Sequence, residues 1–549
     1  MKTVGMYLVE LLQRYGVDTV FGIPGVHTVD LYRGLAGSSI RHITARHEQG
    51  LGFMADGYAR ATGRPGVCFV ITGPGVTNMA TAMAQAYADS IPLLVISSVN
   101  ALGHLGSGNG HLHELSDQRR LAGSVAAFSH TVTRADELPQ VVARAFAVFD
   151  SERPRPVHIE LPLDIINAQA EGLPAQRAAP ARAKAGPAAA GAIDEAIGRM
   201  RAARAPLVFA GGGTLGAAAE IRWLAETIDA PLVMTINGRG VLAPSHSLAL
   251  SWSASSAAVR ALMRESDLVI AAGTELGPTD YDLYANGSFR MAAPLIRLDI
   301  DAQQLFRNAA PALALCGDVG ETLCAMRQRL ATCHASANDP LRLTDATDAS
   351  PPSGAMRAAA CREAGRAELD AVTLRDLDLL DEVRQTLPDA RIVGDSTRMV
   401  YSGNLGYAAP APRTWFNASV GFGSLGYGLP AAIGASLADP GRPVVCLAGD
   451  GGFQFTLGEM GTAVQHGARV IVLLLNNGGY GEIRNAMLAR DVEPIGVDLH
   501  TPDFVEIARA YGWGAQRVEE GAPVAGLIAR AAADTRPWLV EITASGHTG

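Results

Sequence analysis

Apolar positions along the chain follow two alternating patterns, and the alternation repeats in three successive blocks. Short continuous apolar runs are typical of buried β-strands, as at residues 66–72 (GVCFVIT), 205–210 (APLVFA) and 442–448 (RPVVCLA). Stretches with apolar residues at helical spacing follow such runs, as at residues 78–90 and 217–229. This alternation predicts parallel sheets covered by helices on both faces. We therefore expect an α/β fold with three doubly wound parallel-sheet domains.

Two segments interrupt the pattern, at residues 172–192 and 333–366, where proline, alanine and small polar residues dominate. This composition buries too little apolar surface to fold by itself, so both segments are predicted to be linkers. They divide the 549 residues into three blocks, in keeping with roughly 150 residues per domain. The expected domains are residues 1–171, 193–332 and 367–549.

The composition excludes several classes of function. Charged residues make up 18% of the chain, against about 25% in typical proteins, and the formal net charge is −9. No basic stripe is present, so we expect no nucleic-acid partner. Lysine occurs only as Lys2 and Lys184, which argues against a buried Schiff-base lysine and against a P-loop. No apolar run approaches the ~18 residues of a membrane span, so no membrane partner is expected.

The six cysteines are scattered, without a CxxC pair or a regular spacing. This usage predicts reduced thiols and a cytoplasmic location. The N-terminal segment has apolar residues at helical spacing and contains acidic residues, so we expect the first helix of a domain there rather than a signal peptide.

A glycine pattern in the second block has the outline of a dinucleotide-binding motif. Gly211, Gly213 and Gly216 follow a predicted strand and precede a predicted helix. The next strand ends without the acidic residue that would hold a ribose. A plain glycine-rich turn is therefore favoured over nicotinamide binding.

A glycine-rich loop at residues 103–114 contains His104, His111 and His113. Three histidines could bind a metal ion, but zinc sites usually draw their ligands from rigid elements with thiolate or carboxylate neighbours. A mobile active-site loop is favoured, and a solvated loop stays open as an alternative.

The third block places two polar residues at the ends of predicted parallel strands. Asp450 follows one strand within a Gly-Asp-Gly sequence, and Asn477 follows the next. Doubly wound sheets bind ligands at the carboxyl ends of their strands. A carboxylate, an amide oxygen and a nearby backbone carbonyl form a hard oxygen set suited to Mg²⁺, with phosphate oxygens completing the coordination.

These motifs resemble those of a known family. The unit formed by Gly449-Asp450-Gly451 and Asn476-Asn477 is similar to the diphosphate-anchoring motif of thiamine diphosphate enzymes. Residues 45–97 resemble the pyrimidine-binding domain of the acetolactate synthase and 2-oxoacid decarboxylase superfamily. The resemblance implies a pyrimidine domain, a central Rossmann-like domain and a diphosphate domain in that order, with thiamine diphosphate and Mg²⁺ as cofactors.

The resemblance also implies roles for individual residues. Glu48 matches the glutamate that hydrogen-bonds the aminopyrimidine ring and takes part in the proton relay that activates the cofactor. Leu425 matches the large apolar side chain beneath the bent cofactor. Asp450, Asn477 and the Gly479 carbonyl match the Mg²⁺ ligands. The other positions that match the cofactor-binding motifs are Gly25, Pro74, Asn78, Ser396, Thr397, Gly423, Gly449, Gly451, Gly452 and Tyr480.

Local segments favour one branch of the superfamily. Residues 111–118, 273–284 and 476–484 resemble decarboxylases of 5-guanidino-2-oxopentanoate (2-ketoarginine) more than acetolactate synthases. The tryptophan-bearing segment of the synthases is missing, since residues 485–498 (NAMLARDVEPIGVD) stand there. We therefore expect decarboxylation of this small-molecule 2-oxoacid to 4-guanidinobutanal and CO₂.

Two histidines are candidates for the catalytic groups beside the cofactor. His27 follows the turn at Pro24-Gly25, and His113 falls where relatives carry an active-site glutamine or histidine. Either could supply a proton or orient the substrate carboxylate, because histidine exchanges protons near neutral pH. A packing role for His27 stays open.

A guanidinium substrate needs an acidic acceptor, and bidentate carboxylate pairing is the strong form. The candidate acids are Glu114, Glu275, Asp280 and Asp282. Solvated loop acids remain an alternative for all four.

Three further questions stay open at this level. The chain could be an acetolactate synthase or related carboligase, or a non-catalytic paralogue that binds a nucleotide in its central domain, although Glu48 argues against the second. FAD could occupy the central domain, as in some relatives, but decarboxylases usually lack it. In the family the glutamate of one subunit faces the diphosphate domain of another, which implies a homo-oligomer, a dimer at least and commonly a tetramer.

Overall fold

The computed structural model describes residues 2–174, 180–281, 291–334 and 352–543. It contains two compact units. Unit 1 comprises residues 1–184, 390–398 and 417–549, and unit 2 comprises residues 185–389 and 399–416. Over the described ranges, no helix has the length and apolar character that crossing a bilayer requires.

The first sheet of unit 1 is parallel, in the order β2-β1-β3-β4-β6-β5. Its strands are β1 (Thr19–Gly22), β2 (Arg41–Thr44), β3 (Gly66–Val70), β4 (Leu93–Val99), β5 (Phe128–Thr131) and β6 (Val157–Pro162). Its helices are α1 (Val4–Arg14), α2 (Val29–Ala36), α3 (Glu48–Thr62), α4 (Pro74–Asp89), α5 (Gln118–Gly123), α6 (Leu138–Ser151) and α7 (Leu163–Ile166). The strand order reverses between β1 and β3, which creates a crevice at their carboxyl ends.

Unit 2 contains one parallel sheet, in the order β12-β11-β10-β7-β8-β9. Its strands are β7 (Pro206–Ala210), β8 (Leu232–Met234), β9 (Ala249–Leu250), β10 (Leu268–Ala272), β11 (Leu295–Asp299) and β12 (Leu313–Cys316). The helices of this stretch are α8 (Ala190–Ala202), α9 (Ala218–Thr227), α10 (Ala257–Glu265), α11 (Pro278–Tyr281), α12 (Val319–His334), α13 (Gly354–Ala367), α14 (Ala371–Thr386) and α15 (Arg398–Gly406).

Helix α13 begins inside the segment 333–366 that the composition predicts to be a linker, and it ends one residue beyond that segment. Ser353 caps it by accepting a hydrogen bond from the Met356 amide. Ala358 and Cys361 are buried in the core of unit 2. The alanine content that suggested a linker also favours helix, and the helix folds because it has a core to pack against. The expected linker therefore ends before Gly354.

The second sheet of unit 1 has the order β14-β13-β15-β16-β18-β17, and β15 pairs in parallel with β13 and β16. Its strands are β13 (Arg391–Gly394), β14 (Trp415–Asn417), β15 (Val444–Gly449), β16 (Val470–Asn476), β17 (Gly514–Glu519) and β18 (Trp538–Thr543). Its helices are α16 (Gly428–Ala438), α17 (Asp450–Phe453), α18 (Glu459–His466), α19 (Gly481–Leu488), α20 (Phe504–Ala510) and α21 (Ala525–Ala533). The three parallel six-stranded sheets with flanking helices confirm the predicted fold class.

Helices α3 and α16 pack with their backbones in direct contact. A Cβ atom on Gly57 would lie 2.0 Å from the Ala431 carbonyl oxygen, and one on Gly434 would lie 1.9 Å from the Met54 carbonyl oxygen. From the first contact to the second, the residue number falls along α3, from 57 to 54, and rises along α16, from 431 to 434. The two helices are therefore antiparallel. Glycine is the one residue type that permits this approach.

Candidate active site

Several of the predicted site residues lie where a sheet of unit 1 reverses its strand order. In the first sheet, the turn with Gly25 and His27 follows β1, and the turn with Gly73 and Pro74 follows β3. In the second sheet, residues 394–397 end β13 and Asp450 follows β15. Both crevices are ligand sites by the general rule for open α/β sheets.

Glu48 and Asn78 contact each other across the first crevice. Glu48 is the first residue of α3, and its Oε2 accepts a hydrogen bond of 2.9 Å from Nδ2 of Asn78 in the first part of α4. The turn before α4 is tight, since Gly73 has a φ of 68° and Pro74 opens the helix. A carboxylate at a helix N-terminus is stabilised by the helix dipole. The contact holds the Glu48 carboxyl group in a defined position.

His27 and His113 form a second pair at this crevice. Their rings meet edge to face, with centroids 5.6 Å apart and an interplanar angle of 83°. His27 Nδ1 is buried and has no hydrogen-bond partner among the described residues. Burial, together with the nearby His113 ring, lowers the pKa of His27. The structure thus brings together the two histidines that the sequence singled out.

Glu114 organises the loop that carries His113. Its carboxylate accepts hydrogen bonds from the Ser107 hydroxyl and from the backbone amides of Gly108, Gly110 and His111, at 2.6 to 3.1 Å. These bonds, the Gly108 amide foremost, hold the pKa of Glu114 below its usual value. Both oxygens are engaged within the loop, and the contact of Glu114 with a guanidinium group stays a prediction.

Three oxygen-bearing groups converge at the carboxyl ends of β15 and β16. Asp450 is 1% exposed, and its Oδ2 is buried without a hydrogen-bond partner among the described residues. One terminal position of the Asn477 amide lies 3.0 Å from Asp450 Oδ1 and 2.9 Å from the Gly479 carbonyl oxygen. When the Asn477 NH₂ group occupies this position, it donates to the Asp450 and Gly479 oxygens. When the amide is rotated by 180°, the Asn477 oxygen occupies the same position instead. Burial raises the pKa of Asp450 to about 6. Such a set of carboxylate, amide and carbonyl oxygens fits a hard cation.

A short backbone pairing fixes the Gly479 carbonyl. The Tyr480 amide donates to the Val497 carbonyl at 2.8 Å, and the Leu499 amide donates to the Gly478 carbonyl at 3.1 Å. Gly479 has a φ of 154°, and a Cβ atom on it would lie 2.0 Å from the Val497 carbonyl oxygen. Glycine is therefore required here, and residues 497–499 act as a strap that no sequence motif indicated.

Asp395 links the end of β13 to the loop that carries Leu425. Its buried carboxylate accepts hydrogen bonds from the amides of Ser396, Gly426 and Gly428 at 2.8 to 3.1 Å. Burial raises the pKa of Asp395 to about 6. The family motif that contains Ser396 and Thr397 also includes Asp395, but no sequence signal indicates that its carboxylate accepts hydrogen bonds from the Gly426 and Gly428 amides.

The same architecture is found in known proteins. Residues 2–121 match the N-terminal thiamine pyrophosphate binding domain of thiamine pyrophosphate enzymes, residues 193–326 match the central domain, and residues 393–542 match the C-terminal thiamine pyrophosphate binding domain. A probable 2-ketoarginine decarboxylase of Pseudomonas aeruginosa is 46% identical over 522 residues, which cover 94% of this chain and 90% of the relative. The chain belongs to the thiamine pyrophosphate enzyme family.

Acetolactate synthases are also among the relatives of this thiamine pyrophosphate enzyme. The enzyme of Arthrospira platensis is 32% identical over 557 residues, covering 97% of this chain and 93% of the relative. The large subunit of acetolactate synthase isozyme 1 of Escherichia coli is 32% identical over 490 residues, which cover 86% of this chain and 82% of the relative. The family assignment confirms the resemblance read from the Gly-Asp-Gly and Asn-Asn motifs and supports thiamine diphosphate as cofactor.

The glycines of the C-terminal binding domain accommodate the side chains around them. A Cβ atom on Gly449 would lie 2.9 Å from Thr397 Oγ1, and one on Gly451 would lie 2.7 Å from the Tyr480 ring. These close approaches place Thr397 and Tyr480 beside the Asp450 turn. Thr397, Tyr480 and the Gly449-Asp450-Gly451 turn therefore form one cluster.

Two of the acids predicted for the central domain lie in unit 2. Glu275 is on the turn after β10, Asp280 is in α11, and Asp282 falls outside the described residues. Their contact with a guanidinium group stays a prediction.

The glycine motif of the central domain uses its amides within the protein. The Gly211 amide donates to the Ala272 carbonyl at 2.9 Å, and the Gly213 amide donates to the Gly273 carbonyl at 3.0 Å. A Cβ atom on Gly211 would lie 2.2 Å from the Gly273 carbonyl oxygen. These glycines serve the packing of two turns, which agrees with the plain-turn interpretation.

Proposed function

We propose that this thiamine pyrophosphate enzyme is an Mg²⁺-dependent 2-oxoacid decarboxylase that converts 5-guanidino-2-oxopentanoate to 4-guanidinobutanal and CO₂. The observation that carries the cofactor part is the convergence of Asp450, Asn477 and the Gly479 carbonyl, with a buried Asp450 oxygen that lacks a partner among the described residues. These three groups would hold Mg²⁺, and the ion would hold the diphosphate. When bound, thiamine diphosphate supplies the electron sink for the electron pair left by departing CO₂.

The N-terminal binding domain supplies the proton relay. Glu48 is held by Asn78 at 2.9 Å, with its carboxyl group at the start of α3. In the proposed enzyme this carboxyl group would hydrogen-bond the aminopyrimidine ring and would exchange a proton with it. Fixed orientation is what makes such a transfer efficient.

His27 and His113 would handle the substrate. The low pKa of His27 keeps its ring neutral near neutral pH, so it can accept a hydrogen bond or a proton. His113 presents its ring edge to face with His27. We assign to this pair the orientation of the substrate carboxylate and the relay of a proton, which a neutral ring would take up from solvent and pass to the carbon that becomes the aldehyde.

The substrate assignment rests on sequence likeness. Identity to the probable 2-ketoarginine decarboxylase is 46%, against 32% to the acetolactate synthases of Arthrospira platensis and Escherichia coli. The decisive experiment assays CO₂ release and aldehyde formation on a panel of 2-oxoacids with thiamine diphosphate and Mg²⁺. The highest kcat/KM is expected for the guanidino acid, and a preference for an uncharged 2-oxoacid would overturn the substrate assignment.

A carboligase is the second candidate, and the acetolactate synthase relatives favour it. The two candidates differ in what the enzyme makes from pyruvate alone. Acetolactate in good yield would establish the carboligase, while CO₂ with acetaldehyde, or no turnover, supports the decarboxylase.

The geometry of one chain supports assembly as a dimer at least, with a tetramer as the form expected from the family. Glu48 opens α3, while Tyr427, two residues beyond Leu425, contacts Asp56 and Arg60 further along that helix. Eight to twelve residues of helix separate these points by about 12–18 Å. This separation supports a site in which a cofactor resting on Leu425 would meet the Glu48 of a second copy.

Complementation tests the assembly. Glu48→Gln and Asp450→Asn should each be inactive, but a randomised mixture should recover about a quarter of wild-type activity, because half of the dimers are mixed and each has one intact site. If activity does not recover although the subunits have been shown to exchange, Glu48 and Asp450 of the same chain form one site.

FAD and cellular location are secondary points. We propose an enzyme without flavin, which an absorption spectrum of the purified protein checks, since a flavin band near 450 nm would contradict it. Cys68, Cys316, Cys324, Cys361 and Cys446 are free thiols. This supports the proposal of a reducing, cytoplasmic location.

A further inference from the structure

Helix α18 holds the turn that delivers Glu48. Three of its side chains contact residues 44–47, which connect β2 to α3. The Glu459 carboxylate accepts hydrogen bonds from the Arg46 and His47 amides at 3.1 to 3.2 Å. Gln465 accepts a hydrogen bond from the Arg46 guanidinium at 2.8 Å, and His466 Nε2 accepts one from the Thr44 amide at 3.0 Å.

Glu459 is the most deeply placed of these groups. It is 1% exposed, and its carboxylate also accepts a hydrogen bond of 2.6 Å from the Thr462 hydroxyl. Every one of these partners is a donor, so both carboxylate oxygens accept hydrogen bonds, which offsets part of the burial that raises the pKa of Glu459. The two amides belong to the residues immediately before α3, where the helix dipole also favours negative charge.

The opposite wall of this contact is Gly50, in the first turn of α3. A Cβ atom there would lie 2.2 Å from Glu459 Oε1 and 2.8 Å from its carboxyl carbon. The carboxylate therefore occupies the space of a missing side chain, two residues after Glu48. Any movement of Glu459 away from this space would release the backbone that orients Glu48.

We propose that Glu459 is a positioning residue for the proton relay, which it serves by fixing the backbone at residues 46–47 and hence the Glu48 carboxyl group. This inference rests on the proposed function of Glu48. Glu459 follows Asp450 by nine residues, so one continuous segment links the cation site to the turn that carries the relay acid.

Two variants each disturb the contact between Glu459 and the start of α3, one by changing Glu459 and the other by changing Gly50. Glu459→Gln replaces one accepting oxygen with an NH₂ group that opposes the amides, and Gly50→Ala pushes the carboxylate away. Each should slow hydrogen–deuterium exchange at C2 of bound thiamine diphosphate by about tenfold to a hundredfold, because catalytic geometry is lost over small displacements. In the double variant the exchange rate should fall by less than the product of the two single-variant factors, since both substitutions act on one contact.

The measurement is quenched-flow NMR of the C2 proton, made beside thermal melting and a binding titration of the cofactor with Mg²⁺. Asp376→Asn is the matched control. Asp376 is a buried carboxylate like Glu459, but it lies in unit 2, where it accepts a hydrogen bond from the Ser402 hydroxyl. It should lower the melting temperature without slowing exchange. A purely structural Glu459 would behave like this control.

The outcomes separate the two claims. Glu48→Gln must abolish rapid exchange, and if it does not, the proposed relay itself fails. If Glu48→Gln abolishes exchange while folded Glu459→Gln and Gly50→Ala exchange at the wild-type rate, the positioning role is overturned and the relay stands. Should both of these variants fail to fold, Thr462→Val removes a single donor to Glu459, and an unchanged exchange rate in that variant would overturn the proposal.

Discussion

The Tyr427 hydroxyl donates a hydrogen bond of 2.5 Å to Asp56 Oδ1, which joins the loop that carries Leu425 to helix α3. The same carboxylate accepts a hydrogen bond from the Arg60 guanidinium at 2.6 Å, and Arg60 also pairs with Asp89 at 2.5 Å. Gln85 extends the group by donating to Asp89 and accepting from the Ser424 amide. All of these side chains are buried, so the loop is held by a desolvated polar cluster.

Replacing Arg60 with methionine should lower the free energy of unfolding by about 3–5 kcal/mol, because two buried carboxylates lose their guanidinium partner. Tyr427→Phe removes one hydrogen bond and should lower it by about 1 kcal/mol. Urea unfolding measures both changes. Arg134→Met, which breaks the exposed pair with Asp136, is the control and should cause no measurable change. A loss for Arg60→Met no larger than that for Tyr427→Phe would contradict the cluster's role.

Asp450→Asn should abolish stabilisation by thiamine diphosphate with Mg²⁺, yet leave the metal-free protein at least as stable as wild type. The reason is the raised pKa of Asp450, about 6, since an amide avoids the charge that burial disfavours. Thermal melting with and without the cofactors measures this. Wild type should gain about 2.7 kcal/mol at a ligand concentration of 100 Kd. A metal-dependent shift that persists in the variant would exclude Asp450 as a ligand.

Gly479→Ala should weaken Mg²⁺ binding more than it weakens the fold. Its Cβ atom would collide with the Val497 carbonyl, and its φ of 154° is strained for alanine. The carbonyl that faces Asn477 would then shift. Titration of the protein with Mg²⁺ at fixed thiamine diphosphate tests this. Gly496→Ala is the control for a left-handed glycine nearby, since a Cβ atom there meets nothing within 4 Å, and it should leave Mg²⁺ affinity unchanged.

Asparagine in place of His27 or His113 should reduce kcat by about 10²–10⁴-fold with little change in cofactor affinity, as expected for groups that move protons. His104→Asn serves as the comparison, because His104 is exposed on the loop that also carries His113, and this variant should retain wild-type kcat. Because burial lowers the pKa of His27, the acid limb of the wild-type kcat/KM profile should lie below pH 6.5. An acid limb above that pH would argue against a neutral His27.

Stability should fall as the pH drops from 6.5 toward 4, in part because of His42. Burial and the nearby His466 lower the pKa of His42 from 6.5 to about 4. Between these values the unfolded chain binds a proton that the folded protein does not, so protonation favours unfolding. Urea midpoints at several pH values should show a shallower slope for His42→Gln than for wild type. An equal slope would mean that other groups account for the loss.

Sequence reasoning reached those parts of the site that local motifs specify. Asp450 and Asn477 follow neighbouring buried strands, and parallel pairing of β15 with β16 necessarily brings their ends together. It missed Glu459, because the identity of the amides that an isolated acid meets is decided by tertiary packing. For the same reason the hydrogen bonds between Glu114 and its own loop could not be foreseen, since a loop acid looks alike in sequence whether it binds a ligand or its own backbone.

The backbone contact between α3 and α16 also limits how this protein can change. Neither Gly57 nor Gly434 has space for a methyl group, so mutational libraries that cover this crossing will mostly yield unfolded chains. The largely exposed segment 489–495 carries no such constraint, since it contains no glycine. Laboratory evolution toward other oxoacids should therefore diversify this segment and leave the two crossed helices untouched.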